Sequence, residues 1–400
     1  MAEPVCDPDC AGGSAGPGGR RTMSIAQGAR AEATVTSGTV SADRLIPGIH
    51  ALRGLAAVAV VLFHFAHLTT VAVPPSLAFV AADFAKGVYL FFVLSAFSLM
   101  HSTERHVDRP QWVTTFFTKR FWRIAPLFYL ILAMIVCFQV AGGNRVDPWR
   151  VLLNLTFTTA FSPKDGIVPA GWTVGVEMLF YVLFPVLLLT VRTMRAAVVL
   201  SVVATVMTCA GRILLFREHG DWANFMLPSN LCFFAYGLLA YRIALSDDSG
   251  SRWVQRIAPV ASVASIATLL ALPEGHMLRT GAGLGTILWG LAFALLCTWR
   301  GATVSHRGNA VMHYLGERSY SIYLLHPLVI WLLRPRLQGL YDTLALDIGA
   351  LAAWMACAAA LLAVLLLMCE ASYRLVELPG IRVGSRMNKR RHARPSMEPV

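Results

Sequence analysis

Ten long apolar segments run through this sequence, and each is long enough, or nearly long enough, to cross a lipid bilayer as a helix. Inside the hydrocarbon every backbone polar group must find a partner within the protein, so segments of this kind form α-helices. They lie at about 50–70, 87–101, 121–141, 172–191, 196–216, 223–245, 257–272, 280–299, 319–334 and 345–370. The pattern predicts an all-α, polytopic membrane protein with about ten transmembrane helices.

A further apolar segment at 149–161 is shorter and carries Asn154. If this segment does not cross and the N-terminus is cytoplasmic, most of the 34 Lys and Arg residues lie on the cytoplasmic side, as the positive-inside rule requires. We therefore interpret it as a re-entrant or interfacial piece near the outer face. Such a piece is tolerated only where it lines a cavity, which makes it a hint of a site.

The composition divides the chain into three parts. Residues 1–44 are rich in Gly, Ala, Ser and Thr without an apolar run, which predicts a disordered cytoplasmic tail. Residues 45–379 form the predicted membrane domain, and residues 380–400 form a basic cytoplasmic tail. Met23 is a second candidate for the start of translation. Because the chain ends soon after its last predicted helix, we expect a stand-alone membrane module.

The charge and the cysteines narrow the possible partners. The net charge is +12, but the basic residues lie in short loops beside helices, so topology and anionic membrane lipids explain them better than nucleic acid does. Cysteines occur singly in apolar segments without metal-ligand spacing. The sequence therefore predicts neither a metal site nor a disulfide framework.

Arg53 and His64 lie in the first predicted helix, and an ionisable pair inside a membrane helix is by default a functional hypothesis. Eleven residues complete about three helical turns, so both side chains leave the same face, about 16 Å apart along the axis. Imidazole suits proton transfer near neutral pH. The structural alternatives are a snorkelling anchor for Arg53 and a helix-bridging hydrogen bond for His64.

Six motifs occur in a characteristic order along the chain. They are "ALRGLAAVAVVLFHF" with Arg53 and His64, "GVYLFFVLSAFSLM" with Ser95, "KRFWRIAPLFYL" with Arg120 and Arg123, "GWTVGVEMLFYVLFP" with Trp172 and Glu177, "LGERSYSIYLLHPL" with His326, and "ELP" with Glu377. Together they resemble acyltransferase family 3, bacterial integral-membrane enzymes that transfer acetyl or other acyl groups to cell-surface carbohydrates and some secondary metabolites. The resemblance extends from about Arg44 to Pro379.

The resemblance implies a reaction and a location. The donor would be acyl-CoA, with acetyl-CoA first among the candidates, used as a co-substrate without a bound cofactor. The acceptor would be a hydroxyl of a cell-surface carbohydrate, a glycolipid or a secondary metabolite. The protein would lie in the bacterial inner membrane with both termini cytoplasmic. Direct transfer and transfer through an acyl-enzyme both remain open, as does the oligomeric state.

The resemblance also assigns roles to individual residues. His64 would be the general base or would briefly carry the acyl group, and Glu177 would orient or charge the acceptor side. Arg53, Arg120 and Arg123 would bind the phosphates of acyl-CoA, since guanidinium groups bind phosphate in a bidentate geometry. We place Arg120 and Arg123 on the first turn of the third predicted helix, where topology alone also favours cations.

Three further residues are candidates for substrate contacts, each with a structural alternative. Trp172 would stack on a sugar ring or belong to an interfacial aromatic belt. Ser95 would contact substrate or bond to the backbone of its own helix. His326 precedes Pro327, at which a helix loses a hydrogen bond and can kink towards a cavity, but it would fit a core position equally well. Glu377 is expected to be a juxtamembrane charge that pairs with the basic tail.

Two other functions are compatible with the sequence. A transporter or a flippase of a sugar or lipid-linked sugar would also carry intramembrane charges and broken helices. It would depend on a gradient, whereas an acyltransferase would consume acyl-CoA and release the free thiol. A sensor or scaffold would tolerate the loss of every intramembrane charge.

Overall fold

The computed structural model describes residues 46–280, 283–302 and 310–392, and these residues form helices and loops without a β-strand. The α-helices are α1 Pro47–Leu68, α2 Ala78–Asp83, α3 Gly87–Thr103, α4 Trp112–Ala141, α5 Pro148–Leu155, α6 Trp172–Thr190, α7 Met194–His219, α8 Leu231–Ala244, α9 Ser249–Ala271, α10 Met277–Thr280, α11 Leu284–Ala302, α12 Ala310–Glu317, α13 Ser319–Ile348, α14 Ala350–Ser372 and α15 Leu378–His392. A π-helical turn, Tyr373–Glu377, joins α14 to α15. The all-α prediction is confirmed.

Short 3-10 helices occupy several connections in the described ranges. They are Pro75–Leu77, Phe84–Lys86, Glu104–His106, Thr158–Ala160, Pro163–Asp165, Gly220–Phe225 and Pro228–Asn230.

Eight helical stretches within the described residues are long and apolar enough to cross a membrane. They are Pro47–Leu68, Pro75–His106, Trp112–Ala141, Trp172–Thr190, Met194–Phe225, Ser249–Ala271, Leu284–Ala302 and Ala350–Arg391. The other two predicted spans also contain helices, α8 and α13. Helix α8 has 14 residues, about 21 Å, which is less than the hydrocarbon thickness, and α13 carries two arginines in its apolar stretch. The chain is a polytopic, all-α membrane protein.

Several boundaries differ from those predicted. Helix α4 begins at Trp112, because Thr and Lys residues interrupt the apolar run of its first turns without interrupting the helix. Helix α8 begins at Leu231, because Pro228 and its neighbours form a 3-10 turn. The predicted short segment at 149–161 coincides with the eight-residue helix α5 and a 3-10 turn. A helix of eight residues is too short to cross a bilayer.

The predicted tail at 1–44 lies outside the described residues. The predicted basic tail at 380–400 begins as helix: α15 continues to His392, and the remaining residues lie outside the described ranges. The domain boundaries at 44 and 379 therefore stay predictions.

Helix α3 occupies the centre of the described bundle, where it contacts α1, α6, α8 and α11. Small residues allow these helices to approach closely, as is common in membrane proteins. A Cβ atom at Gly87 would lie 2.9 Å from the Ala56 carbonyl oxygen of α1, and one at Gly237 would collide with the Val93 carbonyl of α3. This packing brings side chains of α1, α3, α6 and α13 together around one cavity.

Candidate active site

A cavity of about 50 Å³ lies between α1, α3, α6 and α13. This volume accommodates a few water molecules. Its lining combines aromatic rings with an arginine and a glutamate: Arg53, Val88, Phe91, Phe92, Thr173, Val174, Glu177, Ser319, Tyr320 and Tyr323. Of the predicted site residues, Arg53 and Glu177 therefore face the same space, although they are distant in sequence.

Glu177 is held by hydroxyl groups from two helices. Tyr181, one turn further along α6, donates a hydrogen bond of 2.6 Å to Oε1, and Ser95 of α3 donates to the same oxygen. Arg53 interacts electrostatically with this carboxylate. A buried charge requires such partners, because its desolvation is otherwise unfavourable.

The structural alternative for Ser95 was a hydrogen bond to the backbone of its own helix, and the hydroxyl does not make that bond in the described structure. Its hydroxyl reaches Glu177, because a carboxylate is a stronger acceptor than a helical carbonyl that already accepts a backbone hydrogen bond. Ser95 is also absent from the cavity lining in the described structure. The geometry gives it the task of positioning the carboxylate.

Two arginines of α4, Arg120 and Arg123, interact electrostatically with Arg53. Nη2 of Arg120 donates a 3.0 Å hydrogen bond to Ser102 of α3, and its guanidinium faces the Phe116 ring at 5.9 Å. The prediction that they lie on the first turn is wrong, because α4 begins at Trp112.

Arg53 has a donor that points to no protein acceptor. Its Nε is buried and has no hydrogen-bond partner among the described residues. Buried donors are paired in most native structures, so an orphaned one beside two further arginines is a position where an anionic ligand would be stabilised. Arg120, Arg123 and Glu177 all interact electrostatically with Arg53, and Glu377 is a second carboxylate that interacts with Arg123.

His64 and His326 form a pair whose ring centroids are 4.7 Å apart. Nδ1 of His64 lies 2.9 Å from the Val60 carbonyl oxygen, and Nδ1 of His326 lies 2.6 Å from the Tyr323 carbonyl oxygen. A carbonyl can only accept, so in each ring Nδ1 carries the hydrogen. Each neutral ring then has an unprotonated Nε2, the form that accepts a proton.

His326 is fully buried, and its Nε2 has no hydrogen-bond partner in the described structure. Tyr323 lies between the histidine pair and the cavity: it lines the cavity, and its ring centroid lies 5.7 Å from that of His326. The histidine pair is therefore adjacent to the Arg53–Glu177 cavity.

Trp172 lies at the start of α6, next to cavity residues, but its indole is absent from the cavity lining. It packs edge-on against Phe225 at 4.7 Å and against Phe92 at 6.2 Å between ring centroids. Ala170, two residues before Trp172, has a positive φ of 60°, and its carbonyl oxygen accepts a 3.4 Å hydrogen bond from the Tyr323 hydroxyl of α13. This hydrogen bond joins the turn before α6 to α13.

Glu377 is only 2% exposed and accepts a hydrogen bond from Ser321 of α13. The prediction of a juxtamembrane charge paired with the basic tail is wrong, because the π-helical turn directs this side chain into the bundle. Its electrostatic partners are Arg123 and Arg318.

Sequence reasoning missed Tyr181, Tyr320 and Tyr323. The spacing of Tyr181, four residues after Glu177, was a usable signal, because residues i and i+4 share a helix face. The described residues contain no group of three or more His, Cys, Asp or Glu side chains that could hold a metal ion.

A family model described as "Acyltransferase domain" (Acyl_transf_3) matches residues 46–369, which is most of the chain. The chain belongs to acyltransferase family 3. It is a membrane O-acyltransferase, and the matched range contains every predicted site residue.

Curated relatives of this acyltransferase include proteins from three bacteria. Exopolysaccharide production protein ExoZ of Rhizobium meliloti (strain 1021) is 30% identical over 265 residues, 62% of this chain and 76% of ExoZ. Peptidoglycan O-acetyltransferase OatA of Listeria monocytogenes is 22% identical over 337 residues, 74% of this chain and 51% of OatA. Acyltransferase MdmB of Streptomyces mycarofaciens is 29% identical over 154 residues, 35% and 38% of the two chains.

The chain thus spans about half the length of OatA. No solved structure matches this acyltransferase significantly.

Proposed function

We propose that this acyltransferase transfers an acyl group, with acetyl as the first candidate, from cytoplasmic acyl-CoA to a hydroxyl of a cell-surface polysaccharide. The observation that carries the proposal is the position of Tyr323, which lines the cavity of Arg53 and Glu177 and contacts the His326 ring of the His64–His326 pair. The names of ExoZ and OatA, which refer to an exopolysaccharide and to peptidoglycan, support a carbohydrate acceptor over a glycolipid or a secondary metabolite.

The three arginines would bind the donor. Acyl-CoA carries several phosphates, and Arg53, Arg120 and Arg123 supply guanidinium groups that are close enough to interact electrostatically. The orphaned Nε of Arg53 would donate to the donor once it is bound. The pantetheine arm would then place the thioester at His64.

The histidine pair would perform the proton transfers. In direct transfer, Nε2 of His64 takes the proton of the acceptor hydroxyl as its oxygen attacks the thioester carbonyl. The carbon–sulfur bond then breaks, and the proton passes to the thiolate to give free CoA. In the covalent variant, Nε2 attacks the thioester carbonyl, the carbon–sulfur bond breaks and CoA leaves as the thiolate. The acceptor oxygen then attacks the acyl carbon, the carbon–nitrogen bond to the imidazole breaks, and the proton of the acceptor hydroxyl passes to the thiolate. Nε2 of His326 is a second buried proton acceptor beside it.

Glu177 would hold the guanidinium of Arg53 in a fixed position relative to the acceptor. Ser95 and Tyr181 fix its carboxylate beside Arg53, so the guanidinium has a defined orientation before substrate binds. We further propose that the protein lies in the bacterial inner membrane with both termini cytoplasmic, as the positive-inside rule favours.

The reaction can be tested with purified protein in lipid nanodiscs. With radiolabelled acetyl-CoA and polysaccharide from the source organism, we expect label in the polysaccharide and stoichiometric release of free thiol. A deletion strain should lose the mass of one or more acetyl groups from its surface polysaccharide. If thiol release and label transfer are both absent while a sugar gradient drives uptake, the transporter alternative is correct.

A further inference from the structure

A second cavity, of about 200 Å³, opens beside the end of α7. Its walls come from the loop after α5, from the last two residues of α7 and from the connection between α7 and α8. The lining is polar with one large aromatic ring: Ser162, Pro163, Lys164, Glu218, His219 and Trp222. It lies outside the site described above.

The loop that forms one wall is fixed by the short segment at 149–161. Asn154 of α5 is 1% exposed, and its side-chain nitrogen donates to the Asp165 carbonyl at 3.2 Å. Its side-chain oxygen accepts from the backbone N–H of Ile167 at 3.1 Å. Arg150 adds a 3.3 Å hydrogen bond to the Gly166 carbonyl. The wall is therefore held in shape before any ligand binds.

A row of aromatic rings runs from this second cavity to the first. Trp222 is 47% exposed in the second cavity, and its ring centroid lies 5.6 Å from that of Phe225. Phe225 lies 4.7 Å from Trp172, which lies 6.2 Å from Phe92. Phe92 lines the cavity that contains Arg53 and Glu177.

We propose that the second cavity binds a sugar unit of the acceptor and that the aromatic row links this subsite to the cavity that contains Arg53 and Glu177. An exposed indole offers a flat apolar face to the C–H face of a sugar ring. Lys164 donates hydrogen bonds and Glu218 accepts them, and Ser162, whose hydroxyl donates to Asp165, can accept one more, which matches the mixed hydrogen bonding of sugar hydroxyls. A few convergent polar groups of this kind are typical of a small-ligand subsite.

This inference rests on the proposed function for its acceptor, but its test does not require turnover. Full-length protein in nanodiscs is mixed with methyl glycosides of glucose, galactose and N-acetylglucosamine, and saturation-transfer NMR reports which sugar protons contact it. Trp222→Ala removes the ring, and Trp222→Phe keeps a smaller one. Trp253→Ala is the matched control, because Trp253 is 62% exposed on the first turn of α9, at the opposite end of α8.

We expect a saturation-transfer signal from at least one glycoside with the wild type and with Trp253→Ala. The signal should be weaker with Trp222→Phe and mostly lost with Trp222→Ala. In transfer assays, the acceptor KM of Trp222→Ala should rise about two- to tenfold at unchanged donor KM, from the usual size of aromatic contacts.

Equal signals for the wild type and Trp222→Ala, or none above empty nanodiscs, would overturn the sugar subsite. An equal loss in Trp253→Ala would do so as well, because it would indicate contact with lipid or with the general surface. If glycoside binding depends on Trp222 but acyl-CoA is never consumed, the proposed function fails and the subsite stands.

Discussion

Replacing Tyr181 with Phe tests the role of Glu177 directly. The substitution removes the hydroxyl that donates to Oε1 at 2.6 Å and keeps the ring, which is 4% exposed and packs on Phe116 at 6.0 Å. A hydrogen bond to a charged group contributes about 1.5–3 kcal/mol. If this stabilisation is needed in the transition state, kcat/KM should fall by about 10- to 100-fold. Ser95 retains the second hydrogen bond, so activity should not vanish.

The assay is thiol release from acetyl-CoA by purified variants in nanodiscs, in the presence of acceptor polysaccharide. Tyr236→Phe is the matched control, because Tyr236 is 3% exposed and its hydroxyl lies 2.7 Å from that of Thr205, away from the cavity. The control should keep wild-type kcat/KM. If Tyr181→Phe also stays within about twofold of wild type, the carboxylate does not act in the reaction, and the account of Glu177 is refuted.

Two further predictions concern stability. Asp83→Asn leaves the guanidinium of Arg279 without its buried carboxylate, whose nearest oxygen lies 2.5 Å away, and should lower stability by about 3 kcal/mol. An unchanged thermal midpoint in detergent would contradict this. Gly237→Ala places a methyl group against the Val93 carbonyl and should reduce the yield of monodisperse protein, whereas Gly339→Ala, with open space around it, should not. Equal yields on size exclusion would show that the α3–α8 contact tolerates more separation.

The fold could be predicted because apolar length is a local signal. Each predicted span contains a helix, since the bilayer allows no other structure for such segments in a chain of this kind. The errors occur where polar residues join a helix, as at the start of α4, or where Pro228 replaces a helical turn with a 3-10 turn.

The site was predictable only in part, because its residues come from several helices. Arg53, His64 and Glu177 were found as ionisable groups within apolar segments. Tyr320 and Tyr323 carry no such signal, since tyrosine is common in membrane helices, and their role depends on how α13 packs against α1 and α6. The predicted position of Glu377 was wrong because a π-helical turn changes the direction of its side chain. No residue pattern in this part of the sequence predicts that turn.

Thiol release by a His64→Gln variant tests whether His64 takes part in acyl transfer. Gln keeps a polar side chain of similar reach but cannot serve as a base at neutral pH. At saturating acetyl-CoA and acceptor, we expect release to fall to background, while donor binding and the elution profile on size exclusion remain those of the wild type. Near-normal thiol release by this variant would contradict the account.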